Sequence, residues 1–390
     1  MNMDVGQRFN FLPLPTDVHF GRGIISTLPD HIRAGNGRRV LVVTDPGVRA
    51  AGLLDAATAR LADAALDFSI YDEVTADSGS ALIARGVEAL KSFDADVVVG
   101  IGGGSALDTA KAIAAMATNR GSPLDYVGLH KIKARPLPTI AVPTTAGTGS
   151  EVSLWSVFTD DTRQLKVAIG GVAMYPAIAL CDPDLTMTLP APLTAATGMD
   201  ALAHAIECYT NTACQPISAS LALAAIELIG RYLRTATLNG ADPESRYGVM
   251  LASTMAGMAM NPTRLGLAHA LAMPLGSWDL KIPHSVAIAV TLPLVMEFNW
   301  TAAPERFAAV ARALGEPVDG CPAVAAAPRA AAAVGALADA IGIPKGLSEY
   351  GLSQRHVPGV VAEAMKSGNV AVNPRRTSVD EMTAILCRVL

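Results

Sequence analysis

The chain has 390 residues, which at about 150 residues per domain predicts two or three domains. Apolar residues make up 51% of it and charged residues only 17%, a composition that excludes an intrinsically disordered chain. The net charge of −5, without any Lys/Arg cluster, argues against a nucleic-acid partner. No uninterrupted apolar run reaches the ~20 residues of a membrane span. We therefore expect no membrane partner and assign the apolar excess to a large core or to subunit contacts.

The cysteine pattern and the N-terminal sequence bear on the compartment. The five cysteines are scattered without a CxxC pair, and the N-terminal stretch lacks the charged and apolar regions of a secretory signal. Unpaired cysteines of this kind are typical of a reducing compartment. We therefore expect a cytoplasmic protein.

The first half of the chain alternates predicted strands with predicted helices. The strands are predicted at 39–45, 67–71, 96–101 and 138–143, and the helices at 51–65, 80–93 and 106–118. The continuous apolar runs at 39–45 and 96–101 are typical of strands that are buried on both faces. Strands that alternate with helices predict a parallel, doubly wound sheet.

The pattern changes near residue 190, where Pro190 and Pro192 precede a series of helical segments. Helices are predicted at 194–209, 218–233, 247–260, 302–314 and 323–343. The Ala-rich last segment is interpreted as helix rather than linker, because Ala has the highest helix propensity. The fold class predicted is therefore α/β plus all-α, with an α/β domain over residues 1–190 and an all-helical domain over residues 191–390.

A glycine-rich loop follows the predicted strand 96–101. It contains Gly102, Gly103, Gly104 and Ser105, and it opens a helix. Ser105 is expected to cap that helix, with Asp108 completing a capping-box-like pair. Close backbone approach and free N–H groups at a helix start favour a phosphate ligand. An ordinary strand-to-helix turn without a ligand is the alternative.

A second loop with the sequence PTTAGTGSE begins at Pro143 and follows the strand predicted at 138–143. Thr144, Thr145 and the neighbouring glycines could offer N–H and hydroxyl donors to a phosphate or a ribose. Two such loops favour binding over two ordinary turns, because open α/β sheets bind ligands outside the carboxyl ends of their strands.

Asp45 ends the strand predicted at 39–45. An acid at that place can accept hydrogen bonds from a ribose 2′-OH and would repel a 2′-phosphate. In the common dinucleotide fingerprint, however, the acid follows the glycine loop by about 20 residues, whereas here it precedes the loop. Asp45 is therefore either a ribose ligand in a different chain order or a turn residue in front of Pro46-Gly47.

Four polar residues stand out in the apolar second half. Asp200 and His204 are four residues apart within a helical pattern and so lie on one helix face. His269 and His284 also lie in apolar surroundings, where polar groups need partners. One carboxylate and three imidazoles form a divalent-metal ligand set if they converge. Separate histidines satisfied within the core are the alternative.

Several motifs in order match a known family. They include GGGSALDTAK, PTTAGTGSEVS, GMDALAHAIECY, LGLAHALAMPLG and IPHSVAIAVTLPLVMEFN. From about Phe20 to Arg375, the chain resembles the iron-containing (group III) alcohol dehydrogenases of the dehydroquinate synthase-like superfamily. The resemblance implies a nicotinamide-binding α/β domain, an all-helical metal-binding and substrate domain, and an active site in the cleft between them.

The resemblance also implies particular residues and partners. The implied metal ligands, through which catalysis would act, are Asp200, His204, His269 and His284. The implied cofactor contacts are Asp45, Gly102, Gly103, Gly104, Ser105, Asp108, Thr144, Thr145 and Lys166. Asp45 favours NAD over NADP by charge repulsion, and family habit favours Fe²⁺, with Zn²⁺ as the second choice. The implied partner is a small alcohol, aldehyde, or hydroxy or keto acid, and the implied assembly is a homodimer or a larger homo-oligomer.

The departures from the family pattern fall near the expected substrate pocket, to which we assign Met273, Trp278 and Arg264. Met273 stands where the family usually has a second histidine of an H-x-x-x-H pair, and Arg264 stands where a small residue is common.

The function predicted is a metal-dependent oxidoreductase that transfers a hydride between NAD and an alcohol/aldehyde or hydroxy acid/keto acid pair. A maleylacetate reductase, a hydroxyacid–oxoacid transhydrogenase, a dehydroquinate synthase-like lyase and a non-catalytic NAD-binding protein are the alternatives.

Overall fold

A computed structural model describes residues 14–76, 78–277, 280 and 282–390. The described residues form two compact units, Leu14–Leu189 and Pro190–Leu390. The first is built on parallel strands and the second on helices.

The first unit contains a six-stranded parallel sheet and a smaller three-stranded sheet. The strands in chain order are β1 (Asp17–Phe20), β2 (Arg39–Val43), β3 (Asp67–Tyr71), β4 (Val97–Gly102), β5 (Gly128–Leu129), β6 (Thr139–Pro143), β7 (Trp155–Asp160), β8 (Leu165–Gly170) and β9 (Ile178–Cys181). The large sheet has the order β1-β9-β6-β4-β2-β3, and all of its pairs are parallel. In the small sheet, of order β5-β8-β7, β7 and β8 are antiparallel.

Both faces of the large sheet are covered, which explains the continuous apolar runs. The helices of this unit are α1 (Leu28–Ala34), α2 (Pro46–Ala50), α3 (Asp55–Asp63), α4 (Ser80–Phe93) and α5 (Gly104–Thr118). Alternate residues of β2 enter different hydrophobic cores, Leu41 and Val43 in one, Val40 and Val42 in the other. A central strand with a core on each side needs apolar residues at every position.

The winding direction of the large sheet reverses between β2 and β4. From β2 the chain moves outward to β3, whereas from β4 it moves the other way through β6 to β9. Ligands of open α/β sheets bind outside the carboxyl ends of the strands at such a reversal. Asp45 and the loop from Gly102 follow the two strands that flank it.

The second unit contains the helices α6 (Ala191–Thr210), α7 (Pro216–Leu238), α8 (Pro243–Met260), α9 (Leu267–Leu275), α10 (His284–Asn299), α11 (Pro304–Ala313), α12 (Ala323–Ala340), α13 (Val357–Ala364), α14 (Gly368–Val372) and α15 (Val379–Cys387). Its central helix α6 is buried over most of its length and packs against α7, α8 and α10. The part of this unit that the structure describes contains no strand. The predicted fold class, α/β plus all-α, is confirmed.

Some predicted elements need correction. The helix predicted at 51–65 is shorter, because only α3 (Asp55–Asp63) lies within it. Residues 51–54 form a turn in which Gly52 has a φ of +71°, and α2, which precedes that turn, was not predicted. The strands β1, β5, β7, β8 and β9 were not predicted. Nor were α9 and α10, whose internal Pro274 and Pro293 are residues that disfavour helix interiors.

Three helical segments are long and apolar enough to cross a membrane, judged by length and composition alone. They are Pro216–Leu238, His284–Ala302 and Ala323–Ala340, and 39%, 50% and 39% of the respective apolar windows are buried inside the structure. Polar residues interrupt the apolar sequence of each segment, so none of them contains an uninterrupted apolar run of about 20 residues. Length and composition therefore do not support the expectation of no membrane partner. The helices in these segments pack against others of the unit: α7 against α6 and α8, α12 against α10 and α11.

Candidate metal and cofactor sites

The four polar residues of the apolar second half come together in the helical unit. Asp200 Oδ1 lies 3.8 Å from His204 Nε2 and 3.5 Å from His269 Nε2. Asp200, His269 and His284 each offer one ligand atom, and these three atoms lie within 4.8 Å of one another. The ring of His269 stacks on that of His204 at 4.6 Å between centroids and lies 5.6 Å from that of His284. Three helices, α6, α9 and α10, thus contribute to one cluster.

Burial sets the electrostatics of this cluster. Asp200, His204 and His269 are buried, and His284 is half-buried. Burial alone would raise the pKa of Asp200, but the three imidazoles hold it well below its usual range. Burial alone would lower the pKa of His269, but Glu207 and Asp200 raise it above its usual range. Asp200 therefore stays ionised within the cluster.

Two atoms at the centre of the cluster fit a cation. Asp200 Oδ1 and His269 Nε2 are buried, and neither has a hydrogen-bond partner among the described residues. Such atoms cost free energy unless a ligand satisfies them. One carboxylate oxygen with imidazole nitrogens is a donor set that suits Fe²⁺ or Zn²⁺. The residues present therefore fit a divalent metal ion.

Glu207, which the sequence analysis did not single out, also belongs to this site. Its Oε2 lies 2.6 Å from His269 Nδ1, and the residue is only 4% exposed. A signal was available, because Glu207 follows Asp200 by seven residues and so lies on the same face of the predicted helix. An acid on an otherwise apolar helix face needs a buried partner.

The two glycine-containing loops meet at the carboxyl ends of β4 and β6. Gly102 O accepts a hydrogen bond from Thr144 N at 3.0 Å. A Cβ on Gly104 would lie 2.7 Å from Thr148 Cγ2, closer than real Cβ atoms approach. A Cβ on Gly103 would lie at an ordinary 3.4 Å from Thr145 Cγ2, and both of these residues are half-buried. Gly104 is therefore required by the close packing of the loops.

Asp45 lies beside the first of these loops. Its Oδ1 accepts a hydrogen bond from Val48 N at 2.9 Å and so caps α2. Its Oδ2 would be 3.3 Å from a Cβ on Gly102. The turn-residue interpretation therefore accounts for one carboxylate oxygen, while the other faces the glycine loop.

The start of α5 differs from the prediction. The helix begins at Gly104 with Gly103 as N-cap, and no side chain caps it. The prediction that Ser105 is the N-cap and Asp108 completes a capping box is wrong. The helix starts before Ser105, and the Asp108 carboxylate has other donors. Ser105 is half-buried within the first turn.

Those donors hold Asp108 in a buried cluster with Lys111. Its Oδ1 accepts from Ser150 Oγ at 2.6 Å and from Lys111 Nζ at 2.9 Å, and its Oδ2 accepts from Val157 N at 3.0 Å. Lys111 Nζ also donates to the carbonyl oxygens of Ser150 and Trp155. The pair therefore ties α5 to the loop after β6 and to β7. Lys166, half-buried in β8, lies opposite Thr159 of β7.

The residues assigned to the substrate pocket have different surroundings. Met273 is half-buried on α9, one turn after His269. Arg264 is exposed, adopts a left-handed φ of +60° and directs its guanidinium towards Gly368. Arg264 therefore lies at the surface of the helical unit. Trp278 lies outside the described residues.

Comparison with known proteins identifies the family. Residues 15–183 match the family "Iron-containing alcohol dehydrogenase", and residues 194–390 match the C-terminal part of the Fe-containing alcohol dehydrogenase family. The NAD-dependent methanol dehydrogenase of Bacillus methanolicus is 36% identical over 98% of this chain and 100% of its own length. The 1,3-propanediol dehydrogenase of Citrobacter freundii is 37% identical over 97% of each chain. A solved structure of 1,3-propanediol oxidoreductase superposes with a TM-score of 0.95 at 36% identity, over 98% of this chain and 100% of the other.

Fold and sequence agree along nearly the whole chain. The combination of a parallel-sheet unit with a helical unit is that of a family of oxidoreductases. The chain belongs to the iron-containing alcohol dehydrogenase family, as its motifs predicted. It is an oxidoreductase of the alcohol dehydrogenase type, and the relatives above favour this activity over the lyase alternative.

Proposed function

We propose that this oxidoreductase is NAD-dependent and metal-dependent and interconverts small primary alcohols with their aldehydes. The observation that carries the proposal is the buried cluster in which Asp200 Oδ1 and His269 Nε2 lie 3.5 Å apart without hydrogen-bond partners among the described residues. Support also comes from the relatives, one of which is named an NAD-dependent dehydrogenase.

Asp200, His204, His269 and His284 would hold the metal, with Fe²⁺ favoured by family membership and Zn²⁺ as the second choice. When bound, the ion supplies Lewis acidity to the substrate oxygen. The carboxylate of Asp200 offsets part of the ion's charge. The imidazoles contribute neutral nitrogen ligands, so metal binding requires them to be deprotonated.

The nicotinamide dinucleotide would bind at the reversal point of the sheet. The half-buried Gly103, Gly104 and Ser105 open α5, where backbone N–H groups and the helix dipole favour a pyrophosphate. Thr144, Thr145 and Lys166 would add donors. Asp45 Oδ2 faces the glycine loop and would accept from the ribose 2′-OH, which favours NAD over NADP. Asp108 contributes by holding α5 against its neighbours.

Met273 has no proton to exchange, although the family commonly has a histidine at that position. The proton of the alcohol would therefore leave through water or through the cofactor ribose. Met273 instead offers an apolar, adaptable surface that would favour small uncharged substrates over hydroxy acids. Maleylacetate reductase and hydroxyacid–oxoacid transhydrogenase activities are the alternatives within the family.

We also propose that the enzyme is cytoplasmic and forms a homodimer or a larger homo-oligomer. Its two domains would span residues 1–190 and 191–390. The packing of the apolar helices α7 and α12 against other helices supports a protein without a membrane partner. Subunit contacts would bury part of the exposed apolar surface that remains, such as Leu193 and Leu238.

The test combines metal analysis with an activity screen. The purified chain is analysed for bound metal, reconstituted with Fe²⁺ or Zn²⁺, and assayed for NADH oxidation with aldehydes, keto acids and maleylacetate. The expected result is stoichiometric metal and highest turnover with a small aldehyde. Absence of turnover after reconstitution would overturn the proposal, and preferential turnover of maleylacetate or keto acids would select an alternative.

A histidine variant outside the site provides the matched control. His284→Asn should lose metal and turnover together. His130 is exposed and has a φ of +57°, a conformation that Asn tolerates, so His130→Asn should keep both. Equal metal contents in the two variants would contradict the assignment of His284.

A further inference from the structure

Glu207 is a buried acid that the proposed chemistry does not use. It lies on α6, seven residues after Asp200, and is 4% exposed. A buried carboxylate without partners would be strongly unfavourable. Its partners therefore indicate its role.

Three donors converge on the Glu207 carboxylate, and all of them belong to the start of α9. Oε1 accepts from Ala268 N at 2.7 Å, and Oε2 accepts from Gly266 N at 2.9 Å. His269 Nδ1 lies 2.6 Å from Oε2. The first N–H groups of a helix have no partner within the helix, and a carboxylate also interacts favourably with that end of the helix dipole. Glu207 thus supplies from α6 the cap that α9 lacks in its own sequence.

The close approach depends on Gly266. A Cβ at this position would lie 2.8 Å from Glu207 Oε1. The glycine therefore lets the carboxylate reach the backbone and the imidazole at once. This arrangement fixes His269 relative to α6, the helix that also carries Asp200.

The same contact fixes which nitrogen of His269 can bind a metal. A carboxylate accepts hydrogen bonds but donates none, so Nδ1 must carry the proton. In the neutral imidazole that binds a metal, the lone pair is then on Nε2, the atom that lies 3.5 Å from Asp200 Oδ1. Histidine ligands commonly donate the second ring N–H to a carboxylate, which orients the ring and increases its basicity.

We propose that Glu207 is a positioning residue of the metal site, which holds His269 by Nδ1 so that Nε2 faces the ion, and which anchors α9 to α6. The inference rests on the proposed function, because it requires a metal at Asp200 and His269. It assigns Glu207 no contact with the ion.

The test measures Co²⁺ binding to the full-length, metal-free chain. Glu207→Gln keeps the size of the side chain but offers one acceptor oxygen where three N–H donors converge. Its amide NH₂ must then face His269 Nδ1 or a backbone N–H. We expect Co²⁺ to bind 10- to 100-fold more weakly than to the wild-type chain, with an altered Co²⁺ absorption spectrum.

Asp182 offers a matched control in the other unit. It is 1% exposed and accepts three backbone N–H bonds, from Gly23, Ile25 and Asp184. Asp182→Asn makes the same chemical change and should lower the melting temperature, but it should leave Co²⁺ affinity unchanged. The comparison separates lost stability from lost metal positioning.

Wild-type Co²⁺ affinity and spectrum in a folded Glu207→Gln variant with a lowered melting temperature would overturn the proposal and leave Glu207 as a helix cap only. If that variant does not fold, Glu207→Asp carries the test. It keeps the charge but retracts the carboxylate, so we expect weaker Co²⁺ binding. Unchanged Co²⁺ binding would contradict the positioning role of Glu207. A wild-type chain that takes up no Co²⁺ would refute the proposed metal site itself, and the inference with it.

Discussion

Asp108 and Lys111 lie one turn apart on α5, and their buried pair makes a prediction about the cofactor site. The Lys111 side chain is 1% exposed and that of Asp108 is 14% exposed. Family resemblance assigns Asp108 to cofactor binding, whereas the structure engages both its oxygens with Ser150, Val157 and Lys111. If Asp108 acts by holding the loops, removing Lys111 should have the same effect as removing the carboxylate.

The magnitude follows from the contacts. Lys111→Met removes the ion pair and also the Nζ donor to the backbone carbonyls of Ser150 and Trp155. The Ser150 carbonyl keeps its bond from Ser153 N. Breaking a buried pair by removing one partner costs about 3–5 kcal/mol. At roughly 2–4 °C per kcal/mol for a unit of this size, the melting temperature should fall by about 6–20 °C. Asp108→Asn should cost a similar amount, since the ammonium then lacks its counter-charge.

A double-mutant cycle tests the coupling. The wild-type chain, Lys111→Met, Asp108→Asn and the double variant are compared by thermal unfolding and by fluorescence titration with NADH. We expect both single variants to weaken NADH binding. We also expect the two effects to be non-additive by about 1–3 kcal/mol in stability, because the residues are in contact.

Two outcomes would refute the reasoning. If Asp108→Asn weakens NADH binding at an unchanged melting temperature, the carboxylate contacts the cofactor directly. If Lys111→Met changes neither quantity, the buried ion pair does not hold the loops.

Three further predictions concern the cofactor and substrate positions. Asp45→Ala should cost about 1 kcal/mol by removing the cap of α2 and should raise kcat/KM for NADPH relative to NADH. Asp45→Ser should retain stability while losing the same discrimination, and an unchanged cofactor ratio in both would contradict the ribose role. Gly104→Ala should weaken NADH binding, because the added Cβ would lie 2.7 Å from Thr148 Cγ2. Gly103→Ala should weaken it less, because its Cβ would lie 3.4 Å from Thr145 Cγ2. A titration that shows the reverse order would contradict the packing argument. Met273→His should add a titration near the usual histidine pKa of about 6.5 to the pH profile of kcat/KM, and an unchanged profile would exclude a proton-relay role for that position.

Four of the six strands of the large sheet, β2, β3, β4 and β6, and most of the long helices could be predicted because their signals are local. β2, β3 and α4 were predicted within two residues, since full burial or one-sided burial leaves a pattern in the sequence. α9 and α10 were missed because Pro274 and Pro293 are tolerated there by tertiary packing. β7 and β8 form a hairpin whose partly exposed residues give a weaker pattern.

Among the candidate metal residues, too, some could be placed from local sequence and others only from tertiary packing. Asp200 and His204 could be placed together because residues four positions apart on a helix lie on the same face. That His269 and His284 join them depends on how α9 and α10 pack against α6, which spacing along the chain does not specify. Glu207 was missed because its partners, the first N–H groups of α9 and His269, are about 60 residues away.

The sequence by itself determined the fold class, the family and the positions of the glycine loops, because each is written in residues close together along the chain. Only the tertiary structure decided what the polar residues bond to. It assigned Asp108 to a buried lysine rather than to a helix cap, directed Arg264 towards Gly368, and linked Glu207 to His269. A buried polar side chain is satisfied by whichever donors the packing brings within about 3 Å, and those donors lie on elements that are remote in sequence.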